Sequence, residues 1–154
     1  MTAATPTRTL HDTITLERTY NASPARVFAA WESVEARLRW SIPFPEAGAA
    51  YDQAEFRVGG LDIMRCGAKD DMRFLAHVRY LEILPGRRIV MAERIAEDGT
   101  SRAASLITIE FEAAGKLTKQ TVTMQVSAVD GSGMLDGYSV GWTAALDNLA
   151  NEFR

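Results

Sequence analysis

Period-two alternation first appears in TITLERTY, residues 13–20, where Ile14, Leu16, Arg18 and Tyr20 share one face and Thr15, Glu17 and Thr19 the other. That pattern predicts a half-buried strand. The period then changes to that of a helix. Ser23 before Pro24 supplies a capping hydroxyl and a first-turn residue whose missing N–H costs nothing. Val27, Phe28 and Trp31 follow as an apolar face over about two turns. Ser33 predicts a second cap and a second short helix through Ala36, Leu38 and Arg39. SIPFPEAG, residues 41–48, is predicted to be a loop, because two prolines and a glycine oppose regular structure.

From Tyr51 to Val129 the alternation returns. The predicted strands are AEFRVGG (54–60), ending in a glycine pair that suggests a tight turn or bulge, LDIMRCG (61–67), RFLAHVRYLEIL (73–84), RIVMAERI (88–95), LITIEFE (106–112) and TKQTVTMQVSA (118–128). In the third of these, Phe74, Ala76, Val78 and Tyr80 share a face, and Leu81 and Ile83 then switch, which predicts a bulge near Tyr80. EDGT, residues 97–100, is a hairpin turn. The chain closes on GYSVGWTAALDNLANEF, residues 137–153. At ~100° per residue, Tyr138, Trp142, Ala145, Leu146, Leu149 and Phe153 fall on one stripe, with Asp147 and Asn151 opposite and Val140 off it.

The order is therefore strand, two short helices, about six more strands and one long helix. Hairpin-length links make neighbouring strands pair antiparallel, and a sheet of this size twists and curls. The closing helix is the only long amphipathic element available to cover the concave face. A helix cannot fill a broad concavity, so the pattern predicts a space between the two and a candidate ligand site. Residues 1–11, small and polar, are expected to form a tail preceding a single domain over 12–154.

Composition narrows the class. A chain of 154 residues, 47% hydrophobic and 24% charged, with a net charge of -3, is an ordinary globular chain. Its acidity argues against a general nucleic-acid surface. No apolar run approaches the roughly 18 residues that a membrane span needs, and no secretory signal is visible, so no membrane insertion and a cytoplasmic location are expected. Cys66 is the lone cysteine and His11 and His77 are the only histidines. That leaves no zinc-ligand spacing, and neither a metal nor a cofactor is expected.

Four stretches then carry a resemblance. ASPARVFAAW, EFRVGG, YLEILPGRRIV and the closing GYSVGWTAALDNLANEF are similar, in this order, to motifs of the bacterial Hsp90-ATPase-activator-homologue-like proteins. These belong to the helix-grip (Bet v 1/START-like, SRPBCC) superfamily, with lipid-transfer domains, plant pathogenesis-related allergens and polyketide cyclases. The chain departs from the pattern at Trp40, followed by Ser41 where a second tryptophan is usual, and at Glu55, where aspartate is common. The co-chaperone that names the family has an extra N-terminal domain, for which this length leaves no room. The resemblance implies an α+β helix-grip fold: a curved antiparallel sheet of about seven strands wrapped around a long C-terminal helix, with two short helices after the first strand. It also implies a cavity for a small hydrophobic or amphipathic molecule. It implies no shared catalytic signature.

Candidate chemistry falls on this frame. Arg18 shares a face with Ile14, Leu16 and Tyr20. It is either an edge-strand arginine with its head in water or a cavity arginine that holds a ligand carboxylate or pairs with Glu55 or Glu93. Glu55 and Glu93 are either solvated sheet residues or pocket acids. Trp40, Phe74, Tyr138 and Trp142, with Trp31 and Tyr51, pack a core or line a pocket. Tyr138 and Trp142 suit a pocket because each carries a polar tip. Met91 and Met124 would form adaptable walls. His77 sits on the polar face of its strand, and Cys66 reads as a buried inert thiol. The leading expectation is binding of a small ligand between sheet and helix. A cyclase or dehydratase acting on a polyketide-like or aromatic substrate, and a chaperone-associated interaction module, are the alternatives. A homodimer is possible.

Overall fold

Strand β1 (Thr9–Tyr20) starts earlier than its alternation, because exposed residues Thr9 and His11 still pair with Val129 and Ser127. Ladder hydrogen bonds need no apolar face, so the sequence pattern could not place this end. The predicted tail therefore gives up residues 9–11 to the sheet. Residues 1–6 of it lie outside those that the computed structural model describes, 7–154.

Helices α1 (Pro24–Glu32) and α2 (Val34–Trp40) begin where the two serines predict. The Ser23 hydroxyl accepts from the Arg26 amide and the Ser33 hydroxyl from the Ala36 amide. Val27, Phe28, Ala30 and Trp31 form the buried face of α1.

Six further strands follow: β2 (Ala47–Gln53), β3 (Leu61–Ala68), β4 (Asp71–Leu84), β5 (Arg88–Glu97), β6 (Thr100–Ala114) and β7 (Leu117–Val129). All pairings are antiparallel, in the order β1-β7-β6-β5-β4-β3-β2. Register shifts interrupt four of the pairings, one of them between Tyr80 and Glu82, where the face switch predicted a bulge. Each such irregularity bends its strand and increases the local twist, which curves the sheet. Between β5 and β6, Asp98 and Gly99 both adopt positive φ, the conformation that a tight hairpin requires.

The helix α3 (Met134–Leu149) starts before the predicted 137 and ends in a 3₁₀ turn, Ala150–Phe153. It is bound to β1 at two points. The Tyr20 hydroxyl donates to the Leu146 carbonyl at 2.7 Å, and Arg18 Nε donates to Asp147 Oδ1 at 2.8 Å. Leu146, Leu149, Val122, Met124, Ile107 and Ile109 are fully buried and form the core beneath it. This is the α+β helix-grip arrangement. Among the described residues no helix is long and apolar enough to cross a membrane.

One expectation is corrected. AEFRVGG is not a strand: β2 lies upstream, in part of the predicted loop, and 54–60 is irregular, with a turn at Val58 and Gly59. Ala47, Gly48, Ala49 and Ala50 are too small to show alternation, while the turn spends its backbone groups locally. Gly60 N donates to the Arg57 carbonyl, Gly59 N to the Tyr80 carbonyl, and Tyr80 N to the Gly60 carbonyl. The turn is thus seated on β4 beside its bulge. A Cβ on Gly60 would lie 2.1 Å from the Glu55 carbonyl oxygen, which leaves no room for a side chain. Gly60→Ala must displace the turn, and is expected to lower stability by at least about 1 kcal/mol. A urea midpoint equal to the parent's would contradict this.

Candidate functional site

Between α3, the 41–44 loop and the inner faces of β2–β5 lies a cavity of about 470 Å³. That falls within the usual range for small-molecule sites, roughly 300–1,000 Å³. Strand alternation builds its floor. Ile89, Met91, Glu93 and Ile95 line it from β5, Phe74, Ala76, Val78 and Tyr80 from β4, and Asp62, Met64 and Cys66 from β3. Trp40 and Trp31 close one side. Their indole N–H groups are satisfied by the Ala30 carbonyl at 2.9 Å and by Gln120 Oε1 at 2.8 Å. Trp142 of α3 stacks on Trp31 at 6.1 Å between ring centroids. Asn148 Nδ2 donates to the Ile42 carbonyl and holds the loop to the helix. Phe44 and Val140 are exposed apolar side chains that also line the space, and they mark its mouth. Val140's position off the helical stripe is thereby explained.

The helix wall carries little side chain. Gly137 and Gly141, one turn apart, both line the cavity, and a Cβ on either would meet nothing within 4 Å.

Charge is confined to Arg37, Asp62 and Glu93. Arg37 on α2 and Asp62 on β3 form a buried ion pair, Nη1 to Oδ2 at 2.7 Å, with side chains 7% and 3% exposed. Tyr80 donates its hydroxyl to Asp62 Oδ2 at 2.6 Å, and the Glu55 backbone N–H donates to Oδ1 at 2.9 Å. Arg37 also donates to the Tyr51 and Tyr80 hydroxyls, at 3.3 and 3.1 Å, and lies over the Tyr51 ring.

Glu93 lies across the floor from Asp62 in the same transverse row of the sheet, with Val78 between them. Two strand spacings put them roughly 10 Å apart. The Tyr138 hydroxyl donates to Glu93 Oε1 at 2.8 Å and shares a 3.0 Å hydrogen bond with Ser105, the next residue of that row. Removal from water raises the Glu93 pKa above its ordinary 4.5, and the tyrosine hydrogen bond only partly opposes this. Burial, with Glu93 nearby, also pushes the Cys66 thiol up to about 11, so it is not a thiolate at neutral pH.

Of the candidates read from the sequence, Trp40, Phe74, Met91, Glu93 and Trp142 line the cavity. Four do not. Arg18 is on β1, at the far end of the strand order from β2–β5, and its head is held by Asp147. Glu55 is outside, where it clamps the 54–60 turn. It accepts from the Leu61 amide at 3.1 Å and from Gln53 at 2.9 Å, and the backbone bond leads the lowering of its pKa. Met124 is fully buried in β7, beneath the helices, where no space remains. Tyr138 stands behind the wall and positions Glu93 through its hydroxyl. His77 is on the outer face of β4, opposite Arg94.

Arg37 and Asp62 were missed. A signal existed for each: Asp62 alternates with Met64 and Cys66 on an otherwise apolar face, and Arg37 adjoins Ala36 and precedes Trp40 by three on the buried side of α2.

The family model described as activator of Hsp90 ATPase homolog 1-like protein matches residues 21–154. Among solved structures, the Mll3558 protein of Rhizobium loti is 33% identical, with a TM-score of 0.83 over 94% of this chain and 99% of that one. An uncharacterized protein from Rhizobium leguminosarum is also 33% identical, with a TM-score of 0.84 over 95% and 96%. DynU16, a protein in the dynemicin biosynthetic locus, shares the fold at 14% identity, with a TM-score of 0.66 over 91% of this chain and 46% of that one. No curated protein matches the sequence at a significant level.

The position of Glu93 has a consequence for stability. The folded chain binds its proton more tightly than the unfolded chain does. As pH rises past 4.5 the unfolded chain releases that proton first, and stability falls until the folded pKa is passed. Glu93→Gln removes this loss and keeps an oxygen for Tyr138. Its Tm is expected to gain on the parent's as pH rises above about 4.5 and to differ little below it. A difference independent of pH would contradict the assignment.

Proposed function

The chain belongs to the activator of Hsp90 ATPase homolog 1-like family, and we propose that it binds a small hydrophobic or amphipathic molecule in the cavity between its sheet and α3. The observation that carries this is the cavity itself: about 470 Å³, walled mainly by aliphatic and aromatic side chains, with a few convergent polar groups. A mouth at Phe44 and Val140 gives a route in.

A second reading is favoured by one observation, the placement of Glu93. A carboxyl with a raised pKa, held by a tyrosine on a cavity floor, is suited to give a proton to a substrate oxygen or take one from carbon at neutral pH. This supports cyclase- or dehydratase-type chemistry on a substrate that fits the cavity, with positioning supplied by the walls. The chaperone-associated reading rests on the family description alone.

Binding is tested with N-phenyl-1-naphthylamine, whose fluorescence rises in apolar surroundings, on the parent and on Gly141→Leu. The leucine side chain would project into open space. Its affinity is expected to fall at least about tenfold, which corresponds to losing roughly 55 Å² of apolar contact. Tm should not fall, since leucine is the better helix former. Native mass spectrometry of protein from its own host should show a retained small molecule. Failure of the parent to bind the probe, or equal binding by both proteins, would overturn the reading.

A further inference from the structure

Glu93 leaves one carboxyl oxygen open. On β5 it alternates with Met91 and Ile95, and all three line the cavity. Oε1 is engaged by the Tyr138 hydroxyl at 2.8 Å. Oε2 has no hydrogen-bond partner among the described residues, yet it is not sealed. Buried polar side-chain atoms without a partner occur on Arg37, His77 and Gln120, and Glu93 Oε2 is not one of them. The residue is half-buried, so its second oxygen keeps accessible surface on the cavity floor.

The network behind Glu93 fixes what that oxygen offers. Tyr138 spends its hydroxyl proton on Oε1, so in its 3.0 Å hydrogen bond with Ser105 the proton is the serine's. Oε1 is therefore the acceptor of the carboxyl. In an uncharged carboxylic acid the proton then sits on Oε2, which becomes an O–H donor facing the cavity. The surroundings favour the uncharged form. Among the described residues Arg37 is the one cation on the cavity walls, and it is taken up by Asp62, which lies roughly 10 Å from Glu93. Burial keeps Tyr51, Tyr80 and Cys66, the other titratable groups there, neutral at neutral pH, so none offsets a charge on Glu93. Burial raises the Glu93 pKa as well.

A donor left unmet on an apolar floor is costly, so an acceptor brought to it gains what the empty site forgoes. A carboxylate is a poor candidate, because it would have no free cation to compensate its removal from water. A carbonyl oxygen accepts without carrying a charge. We infer, on the reading that the cavity binds a ligand, that its occupant is an uncharged carbonyl compound whose oxygen accepts a hydrogen bond from Glu93 Oε2. Glu93 is then the residue that selects for the carbonyl group and sets where it lies. Tyr138 and Ser105 are positioning residues that hold Oε1.

Two ligands of one scaffold separate this from binding as such. Benzophenone carries a carbonyl group, and diphenylmethane has a methylene in its place. Their affinities are read by displacement of N-phenyl-1-naphthylamine. Glu93→Met removes the donor at similar volume. Glu93→Gln keeps an oxygen for Tyr138 and puts an N–H where Oε2 was. Benzophenone affinity is expected to fall at least about fivefold in Glu93→Met and to stay within about twofold of the parent in Glu93→Gln. Diphenylmethane affinity should fall in neither. The carbonyl stretch of benzophenone bound to the parent, read by infrared difference spectroscopy, should lie below its value in hexane, and this readout needs no variant to fold. A stretch at the hexane value, equal effects of Glu93→Met on both ligands, or a loss in Glu93→Gln as large as in Glu93→Met would show that Glu93 does not donate to the occupant. The inference then falls while the binding reading stands, as it does if the parent binds N-phenyl-1-naphthylamine but not benzophenone. If the parent does not bind N-phenyl-1-naphthylamine, the binding reading falls and this inference with it.

Discussion

One helix has to cover seven strands. Strands about 4.8 Å apart make a sheet ~29 Å wide, whereas a helix with its side chains is about 10–12 Å across. A single helix therefore covers about a third of such a surface, and where it is fastened decides which part stays open. Here the fastening is at one flank. Tyr20 and Arg18 of β1 hold Leu146 and Asp147, and Leu146 and Leu149 are fully buried in the core. The opposite flank, β2–β5, is left to α2, the 41–44 loop and empty space. The cavity is thus a consequence of helix placement and not of missing side chains in the sheet.

The polar groups on that floor run against the interest of stability. A buried ion pair seldom repays the removal of both charges from water, and apolar replacements of similar volume are often as stable or more so. Arg37 and Asp62 are nevertheless almost completely buried. Tyr80, Tyr51 and the Glu55 amide are arranged around them, and the amide is supplied by a turn that only glycine at position 60 allows. The Glu93–Tyr138–Ser105 chain repeats the theme, with a desolvated carboxyl held by a hydroxyl from the helix. Two separate polar networks on one apolar surface give the cavity two distinct ends.

Most of the architecture was legible in the residues. Ser23, Ser33 and Pro24 gave both short helices, alternation gave six of the seven strands, and the face switch at Leu81 gave the bulge. β2 was not legible, because a run of alanine and glycine has no face to read. The site was half legible for a related reason. Alternation tells which residues point inward, as it did for Phe74 and Met91, but not which part of the inner surface the helix occupies. Met124 and Met91 face the same way, yet one lies under the helices and the other under the cavity. Arg18 points inward as its alternation suggests, and it meets Asp147 because β1 is the flank where the helix is fastened. Strand order and helix position are tertiary quantities, and sequence spacing does not contain them.

The helix itself shows which of stability and space was favoured. Glycine inside a helix is about 0.8–1.0 kcal/mol less favourable than alanine. Gly137 and Gly141 together thus forgo roughly 2 kcal/mol of a stability that is typically only about 5–15 kcal/mol. Steric need usually explains such residues, as it does at Gly60. It does not explain these two, since a methyl group on either would touch nothing. Conformational need does not explain them either: both lie within α3, and neither is among the glycines with positive φ. What remains is the room they leave on the cavity wall that both line. The room beside the helix is therefore left in part by residues 137 and 141. Neither glycine takes part in the contacts that fasten the helix, which are made by Tyr138, Trp142, Leu146, Asp147 and Leu149.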